Sequence, residues 1–163
     1  MGERDRDRLS IKRLDGLEQA EACARLMAGS EPWITLGRGY EESLTILTDT
    51  SREVYLAVDD GEIVGFVVLE MGDAFTGYVK SICVSPPHRG MGVGARIMSF
   101  AEERVFRERP NVFICVSGFN VGARRFYERL GYEEVGELRD YLVRGHSEVL
   151  LRKTIGPLSE FEA

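Results

Sequence analysis

Residues 81–95 read SICVSPPHRGMGVGA, an apolar strand that passes through a proline-containing turn into the start of a helix. Three glycines alternate in the turn, at Gly90, Gly92 and Gly94. Glycine has no Cβ, so the backbone N–H groups of such a turn can approach a ligand closely, and the N-terminus of the helix adds partial positive charge. The segment therefore favours a phosphate or pyrophosphate site, although a glycine-rich helix cap would have the same pattern.

Two common phosphate-binding patterns fit this turn poorly. A Walker loop ends in Gly-Lys-Ser/Thr, whereas Ala95 and Arg96 follow the last glycine here. A dinucleotide fingerprint is formally present over residues 90–95, but in that motif the strand runs almost directly into the first glycine and the next strand ends in an acidic residue. Here five residues, two of them proline, precede Gly90, and the next apolar run ends at Ser117. A nicotinamide-dependent oxidoreductase is therefore disfavoured.

The turn agrees with a second segment farther along the chain. Residues 89–94 read RGMGVG, after the strand of residues 82–84 and Pro86, and residues 120–132 read NVGARRFYERLGY. In order and spacing, these segments resemble the Arg/Gln-x-x-Gly-x-Gly/Ala turn and the following helix of the GNAT superfamily of N-acetyltransferases. The resemblance covers about residues 53–153, and the first 50 residues match that family only in having a strand and two helices.

The resemblance implies a fold and a co-substrate. The fold would be of the α/β (α+β) class, with a mixed, mostly antiparallel seven-stranded sheet, about four flanking helices and a splayed parallel strand pair. Acetyl-coenzyme A would be the co-substrate, with its pyrophosphate held by N–H groups of the turn and its pantetheine arm paired with the backbone of the preceding strand. The residues assigned to cofactor binding in this way are Ile82, Cys83, Val84, Arg89, Gly90, Met91, Gly92, Val93, Gly94, Ala95 and Asn120.

The same resemblance implies a catalytic role for Tyr127. A phenol with a reference pKa of about 10 stays protonated at neutral pH, so Tyr127 would be the general acid that protonates the departing thiolate. Members of the family often carry a carboxylate four residues before the Ile-x-Val part of the strand, and Tyr78 stands there instead. The general base is therefore unassigned, and Glu70 and Tyr78 are the candidates for a base or water relay.

The implied activity is transfer of an acetyl group to a primary amine, of a small molecule or a protein, by direct attack in a ternary complex. Trp33, Tyr40 and Tyr141 are candidate residues of the acceptor pocket, because aromatic side chains in loops and at strand ends offer rigid recognition surface. The missing carboxylate keeps open the alternative of a non-catalytic acyl-coenzyme A binding or sensor module. The sequence leaves the acceptor, the acyl group and the formation of a homodimer undetermined.

Hydrophobic periodicity predicts the helices and strands. The length of 163 residues predicts a single domain, an acetyltransferase domain by the resemblance, over residues 1–163. Residues 17–28 have helical spacing, with Asp15 as the N-cap and Gly29 at the end, and the connection to a second short helix at 40–47 carries Trp33 in an exposed loop. Residues 1–8 alternate in charge sign and are predicted to be a flexible tail. The predicted strands are 9–14, 53–58, 63–69, 76–84, 112–116, 132–138 and 148–153, and the later helices are 94–105 and 121–130.

Composition excludes several classes of protein. The net charge of −6 and the pI of about 5.1 disfavour a nucleic-acid partner. The longest apolar run, residues 63–69, is far shorter than the roughly 20 residues of a membrane helix, and the charged N-terminus does not resemble a signal peptide. Three scattered cysteines and two histidines suggest neither a disulfide framework nor a metal site. The expected location is cytoplasmic.

Overall fold

The computed structural model describes residues 8–72, 74–75 and 77–163. The elements in chain order are β1 (Ser10–Arg13), α1 (Leu17–Ala28), α2 (Tyr40–Thr48), β2 (Glu53–Asp59), β3 (Glu62–Glu70), β4 (Tyr78–Val84), α3 (Val93–Phe106), β5 (Asn111–Ser117), α4 (Val121–Arg129), β6 (Glu133–Leu138) and β7 (Glu148–Thr154). Short 3-10 turns lie at Pro86–His88 and Leu158–Glu160.

The strands form one sheet in the order β1-β2-β3-β4-β5-β7-β6. β4 and β5 are parallel, whereas β1 with β2, β2 with β3, β5 with β7 and β6 with β7 are antiparallel. The register of the parallel pair joins Tyr78 to Phe113 and Val79 to Ile114, and β4 then continues to Val84. The predicted mixed, mostly antiparallel sheet of seven strands, with four helices and a parallel pair, is confirmed.

The chain divides into two compact units. Unit 1 consists of the described part of residues 1–69 together with residues 81–101. Unit 2 consists of the described part of residues 70–80 together with residues 102–163. A single acetyltransferase domain over the whole chain stays a prediction.

In unit 1, the two N-terminal helices share a hydrophobic core with β2, β3 and the end of β4. Four apolar residues of α1 recur at helical spacing and are buried, namely Ala20, Cys23, Ala24 and Met27, and they fix the face that the helix turns inward, whereas Leu17 is 59% exposed. α1 ends before Gly29 as predicted. The core cluster contains Ala20, Cys23, Ala24, Met27, Trp33, Ile46, Leu47, Val54, Leu56, Val58, Phe66, Val68 and Cys83.

Two sequence expectations in this unit were wrong. Gly16, with φ of 84°, holds the N-cap position of α1, and Asp15 lies one residue outside it, where its N–H donates to Gln19 Oε1 at 2.8 Å. Trp33 is 8% exposed and belongs to the core, although it was expected on an exposed loop. Hydrogen bonds such as Ile34 N–H to Ser30 O, at 3.2 Å, wind this connection into turns, and burial of the large indole is favourable.

β3 passes very close to the end of β4 and to α3. A Cβ placed on Gly65 would lie 2.7 Å from the carbonyl oxygen of Cys83 and 2.9 Å from Cδ1 of Ile97, so only glycine allows this approach. The N–H of Ser85 also donates to Val64 O at 2.8 Å. The end of β4, after which the glycine turn follows, is therefore closely packed against β3.

In unit 2, side chains alternate between the two faces of β5. Val112, Ile114 and Val116 are buried, whereas Phe113 and Cys115 are half-buried. Because successive strand residues point to opposite faces, one face of β5 belongs to the apolar core and the other carries the residues at 113, 115 and 117.

Some predictions fall on residues without a described structure. Residues 1–7 of the predicted tail and Thr76, the expected start of β4, lie outside the described residues. Within the described ranges, no helix is both long enough and apolar enough to cross a membrane. The same ranges contain no group of three or more His, Cys, Asp or Glu residues that could hold a metal ion.

Candidate functional site

The glycine turn of unit 1 lies between β4 and α3 and is exposed. Gly90 and Gly92 have φ of 71° and 83°, in the left-handed region that other residues rarely adopt. A Cβ built on Gly90 would meet no atom within 4 Å. α3 begins directly afterwards at Val93, and the N–H groups of a first helical turn have no acceptor within the helix. This set of backbone donors fits a pyrophosphate.

The side chain of Arg89 forms two hydrogen bonds within unit 1. Its Nε donates to the carbonyl oxygen of Val84 at 2.9 Å, and one terminal nitrogen donates to Ser30 Oγ at 3.2 Å. A guanidinium has five N–H donors, so two of them are used within the protein. The cofactor contact that the resemblance implies for Arg89 would therefore use the remaining donors.

Ser30, which follows α1, was missed by the sequence analysis. It is 4% exposed, its hydroxyl donates to Leu26 O at 2.7 Å, and it accepts from Arg89. The thiol of Cys83 also lies within hydrogen-bond range of Ser30 Oγ, at 3.7 Å. Burial raises the pKa of the Cys83 thiol, so this group is a poor nucleophile.

Tyr127 lies on α4 in unit 2 and is 4% exposed. Its ring makes edge-to-face contacts with Phe126 and Tyr132, with centroids 5.0 Å and 5.6 Å away. Burial raises the pKa of its phenol well above the usual value of 10. The phenol therefore stays protonated throughout the physiological range, as a general acid must.

Asn120 caps the helix that carries Tyr127. Its side-chain oxygen accepts from the N–H of Ala123 at 3.2 Å. A cap of this type satisfies one of the free donors at a helix start. Asn120 is therefore the N-cap of α4, and its contact with a cofactor stays a prediction.

Several titratable side chains of unit 2 share one face of the sheet. Residues that are paired across two strands point to the same face of the sheet, and side chains alternate between the faces along each strand. The pairs Tyr78–Phe113 and Ser117–Glu148 therefore show which side chains of β4, β5 and β7 share a face. We call the shared surface the polar face. It consists of Tyr78 and Lys80 on β4, Cys115 and Ser117 on β5, and Glu148 on β7.

The polar face is held together by hydrogen bonds. Ser117 Oγ donates to Glu148 Oε1 at 2.8 Å, and Glu148 is only 2% exposed. Tyr78 and Cys115 form a second side-chain hydrogen bond. Lys80 and Glu148 both act electrostatically on the Cys115 thiol, whose pKa is raised mainly by burial. The face therefore places a buried carboxylate close to groups that can donate hydrogen bonds.

The environment of Tyr78 bears on its two predicted roles, general base and water relay. Burial raises the pKa of this phenol far above 10, and the hydrogen bond with Cys115 and the nearby Tyr141 and Glu70 raise it further. A phenol that stays protonated cannot act as a base at neutral pH. The raised pKa of Tyr78 therefore favours the water-relay role over the base role, and both roles stay predictions.

A family model described as the acetyltransferase (GNAT) family matches residues 17–132. The chain belongs to the GNAT family. Among curated relatives, an uncharacterized N-acetyltransferase of Methanocaldococcus jannaschii is 34% identical over 101 residues, which are 61% of this chain and 64% of that protein. The N-alpha-acetyltransferase MAK3 of Arabidopsis thaliana is 30% identical over 95 residues, 56% of this chain and 50% of that protein.

These matches extend over half to two thirds of the relatives' own length. A solved structure of an aminoglycoside 6'-N-acetyltransferase complexed with coenzyme A is similar to this chain with a TM-score of 0.74 at 19% identity. The likeness covers 91% of this chain and 98% of the other, and it shows the same fold over that part of the chain.

The predicted acceptor residues of this GNAT chain lie in three different environments. Trp33 is in the core of unit 1, so it has no open surface for an acceptor. Tyr40 is partly buried against the same core at the start of α2. Tyr141 is 56% exposed, follows β6 in unit 2, and acts electrostatically on Tyr78. Of the three, only Tyr141 is therefore exposed beside the polar face.

Of the five residues of the polar face, the sequence analysis singled out only Tyr78, and Glu148 and Ser117 are among the four that it missed. Glu148 directly precedes the apolar residues 149–151, and a carboxylate at the start of a buried strand is a signal that could have marked it. Ser117 carries no comparable signal, because its partner is distant in sequence.

Proposed function

We propose that this GNAT protein is an N-acetyltransferase that transfers the acetyl group of acetyl-coenzyme A to a primary amine of a small molecule or a protein. The observation that carries the proposal is the glycine turn, in which two glycines with positive φ directly precede α3 at the motif positions of the family. When bound, acetyl-coenzyme A supplies the thioester that the acceptor amine attacks in a ternary complex. Positioning of the two reactants accounts for much of the rate.

Unit 1 would bind the co-substrate through its backbone. The N–H groups of residues 90–95 hold the pyrophosphate. The N–H of Ser85 is bonded to β3, and because the backbone groups of successive strand residues alternate in direction, those of Ile82 and Val84 point away from β3. This orientation supports pairing of Ile82 with the pantetheine arm. At Val84 the N–H would do the pairing, because the carbonyl oxygen already accepts from Arg89.

Unit 2 would supply the proton transfers. The amine nitrogen forms a bond to the acetyl carbon as the bond from carbon to sulfur breaks, and Tyr127 donates its proton to the departing thiolate. The amine must lose a proton in exchange. Since Tyr78 stays protonated, we assign this proton to a carboxylate, either the predicted Glu70 or the buried Glu148.

The acceptor is a primary amine whose identity the proposal leaves open. The net charge of −6 favours a cationic acceptor. A lysine amine is only about 0.04% neutral at pH 7, whereas an α-amine with a pKa of about 8 needs much less help from a base. A panel should therefore contain a peptide with a free α-amine, a peptide with lysine as its only amine, spermidine and an aminoglycoside.

The first test is a thermal shift with acetyl-coenzyme A, with a nicotinamide dinucleotide as the control. A ligand at 100 times its Kd stabilises the folded state by about 2.7 kcal/mol, which corresponds to roughly 5–10 °C for a chain of this length. We expect that shift with acetyl-coenzyme A alone, followed by release of thiol with at least one amine of the panel. A shift with the dinucleotide alone would contradict the proposal.

A second candidate function is a non-catalytic acyl-coenzyme A sensor. Tyr78, at the position where relatives often carry a carboxylate, favours it. A sensor would bind acetyl-coenzyme A without thiol release for any amine, and the Tyr127→Phe variant would bind equally well. Cytoplasmic location stays a prediction, and formation of a homodimer stays an open question.

A further inference from the structure

Ser30 and Arg89 lie 59 residues apart in sequence and meet in unit 1. Ser30 stands just after α1, in the front section where the sequence resemblance to the family is weakest. Arg89 is the first residue of the glycine motif. The contact therefore joins the front section of the chain to the turn that would bind the pyrophosphate.

The hydrogen-bonding capacity of the Ser30 hydroxyl is fully used. A serine hydroxyl has one donor and two acceptor positions. The donor is bonded to Leu26 O at 2.7 Å, and the two acceptor positions are approached by Arg89 at 3.2 Å and by the Cys83 thiol at 3.7 Å. Since Ser30 is buried, removing its hydroxyl would leave these groups without this partner.

Arg89 connects Ser30 to the strand end as well as to the turn. Its Nε donates to Val84 O at 2.9 Å, and its own N–H donates to Pro86 O at 3.3 Å. The residue thus bridges the end of β4, the 3-10 turn that follows and the loop after α1. Such a bridge fixes the direction in which the chain enters Gly90.

We propose that Ser30 is a positioning residue for the co-substrate site, acting through Arg89. The hydroxyl holds the guanidinium against Val84, and the guanidinium holds the glycine turn in the conformation that presents its N–H groups. On this account the main role of Arg89 is to hold the glycine turn in place through its hydrogen bonds, and not to bind the phosphates through its charge. The inference rests on the proposed binding of acetyl-coenzyme A, but it also makes a prediction for the protein without ligand.

The test is a double-mutant cycle with Ser30→Ala, Arg89→Met and the double variant. Isothermal titration gives the Kd of acetyl-coenzyme A, and hydrogen exchange without ligand gives the protection of amides in residues 89–95. We expect each single variant to weaken binding about fivefold to tenfold and to speed exchange of the turn. The double variant should be no weaker than the worse single variant, because both break the same bridge.

Ser43→Ala is the matched control. Ser43 is also buried in unit 1, and its hydroxyl makes the same kind of bond to the carbonyl four residues earlier, at 2.8 Å to Gly39 O. The Ser43→Ala variant should lose a similar free energy of unfolding, with no change in the Kd of acetyl-coenzyme A or in the hydrogen exchange of the turn. Ser30→Thr keeps the hydroxyl and should restore protection of the turn. If Ser30→Ala does not fold, Arg89→Met at its exposed position carries the exchange measurement.

Three results would overturn the inference. The first is binding by Ser30→Ala within twofold of the wild type, and the second is additive effects of the two substitutions. The third is loss of the salt dependence of binding in Arg89→Met while Ser30→Ala leaves the turn protected. The third result would make Arg89 a direct phosphate ligand. Failure of the wild type itself to bind acetyl-coenzyme A would instead refute the proposed function, and hydrogen exchange of the turn would still decide whether the bridge exists.

Discussion

The glycine turn of unit 1 and the titratable groups of unit 2 offer opposite kinds of chemistry. The turn presents backbone N–H groups from one continuous, exposed stretch of chain. Unit 2 presents side chains from α4 and three strands, and its Tyr127 and Glu148 are almost completely buried. Backbone donors bind without titrating, whereas buried acids can move protons. Substitutions in unit 1 should therefore change the Kd of acetyl-coenzyme A, and substitutions in unit 2 should change kcat.

Tyr127→Phe should have the largest effect, and it should fall on kcat alone. Loss of a general acid typically costs about 100-fold or more, and the ring contacts that hold Tyr127 do not involve its hydroxyl. Because burial raises the pKa of Tyr127, the wild type should show no loss of kcat from ionisation of this phenol as the pH rises toward 10. Steady-state kinetics with titration of acetyl-coenzyme A measures both quantities.

Tyr132→Phe is the matched control for Tyr127→Phe. Tyr132 is also buried, and its hydroxyl donates to Glu102 Oε1 at 3.1 Å. Its removal should lower the melting temperature and leave kcat within a few-fold. Equal losses of kcat in both variants would mean that the effect of Tyr127→Phe is structural.

Glu148→Gln should have the next largest effect, about 10- to 100-fold on kcat at neutral pH. Glutamine can still accept the hydrogen bond from Ser117, so the substitution mainly removes the negative charge and the proton acceptor. The loss should shrink at alkaline pH, where the amine loses its proton to solvent. A pH profile of kcat for both proteins measures this.

Glu70→Gln shows which of the two candidate bases of unit 2, Glu70 or Glu148, accepts the proton. Glu70 acts electrostatically on Tyr78 and is only partly buried, whereas Glu148 is bonded within the polar face. We expect the smaller loss of kcat from Glu70→Gln. A larger loss, with the same rescue at alkaline pH, would make Glu70 the base and Glu148 a structural residue.

Gly92→Ala tests the turn and should weaken acetyl-coenzyme A binding about tenfold with kcat nearly unchanged. A residue with a Cβ at φ of 83° costs about 1–2 kcal/mol, so the turn should relax away from its binding conformation. Gly39→Ala is the control, because Gly39 has a negative φ and a Cβ there meets nothing within 4 Å. An unchanged Kd for Gly92→Ala would show that the turn does not set the affinity.

The turn could be predicted from sequence because its physics is local. Gly90, Gly92 and the start of α3 are neighbours in the chain, so their spacing alone describes the donors. The same holds for the Asn120 cap, whose partner is three residues away. The sheet class followed from the motifs of the family, and the structure confirms it.

The remaining features depend on contacts between distant residues. Ser117 meets Glu148 across 31 residues, and Ser30 meets Arg89 across 59. Trp33 lies in a loop by sequence, but the turns after α1 bring it into the core. Periodicity carries no information on such pairs, since it describes one element at a time.

Tyr78→Phe should have the smallest effect, and it tests whether the proton acceptor of unit 2 is a carboxylate or the phenol of Tyr78. If Tyr78 were the base, its loss would cost as much as that of a carboxylate, but its raised pKa keeps the phenol protonated at neutral pH. Phenylalanine keeps the ring and removes the hydrogen bond with Cys115, so we expect kcat to fall about tenfold or less, with an unchanged pH profile. Loss of the acidic limb of the profile in Tyr78→Phe would show that the phenol titrates after all. The polar face would then depend on Tyr78, and the carboxylates would serve only to position it.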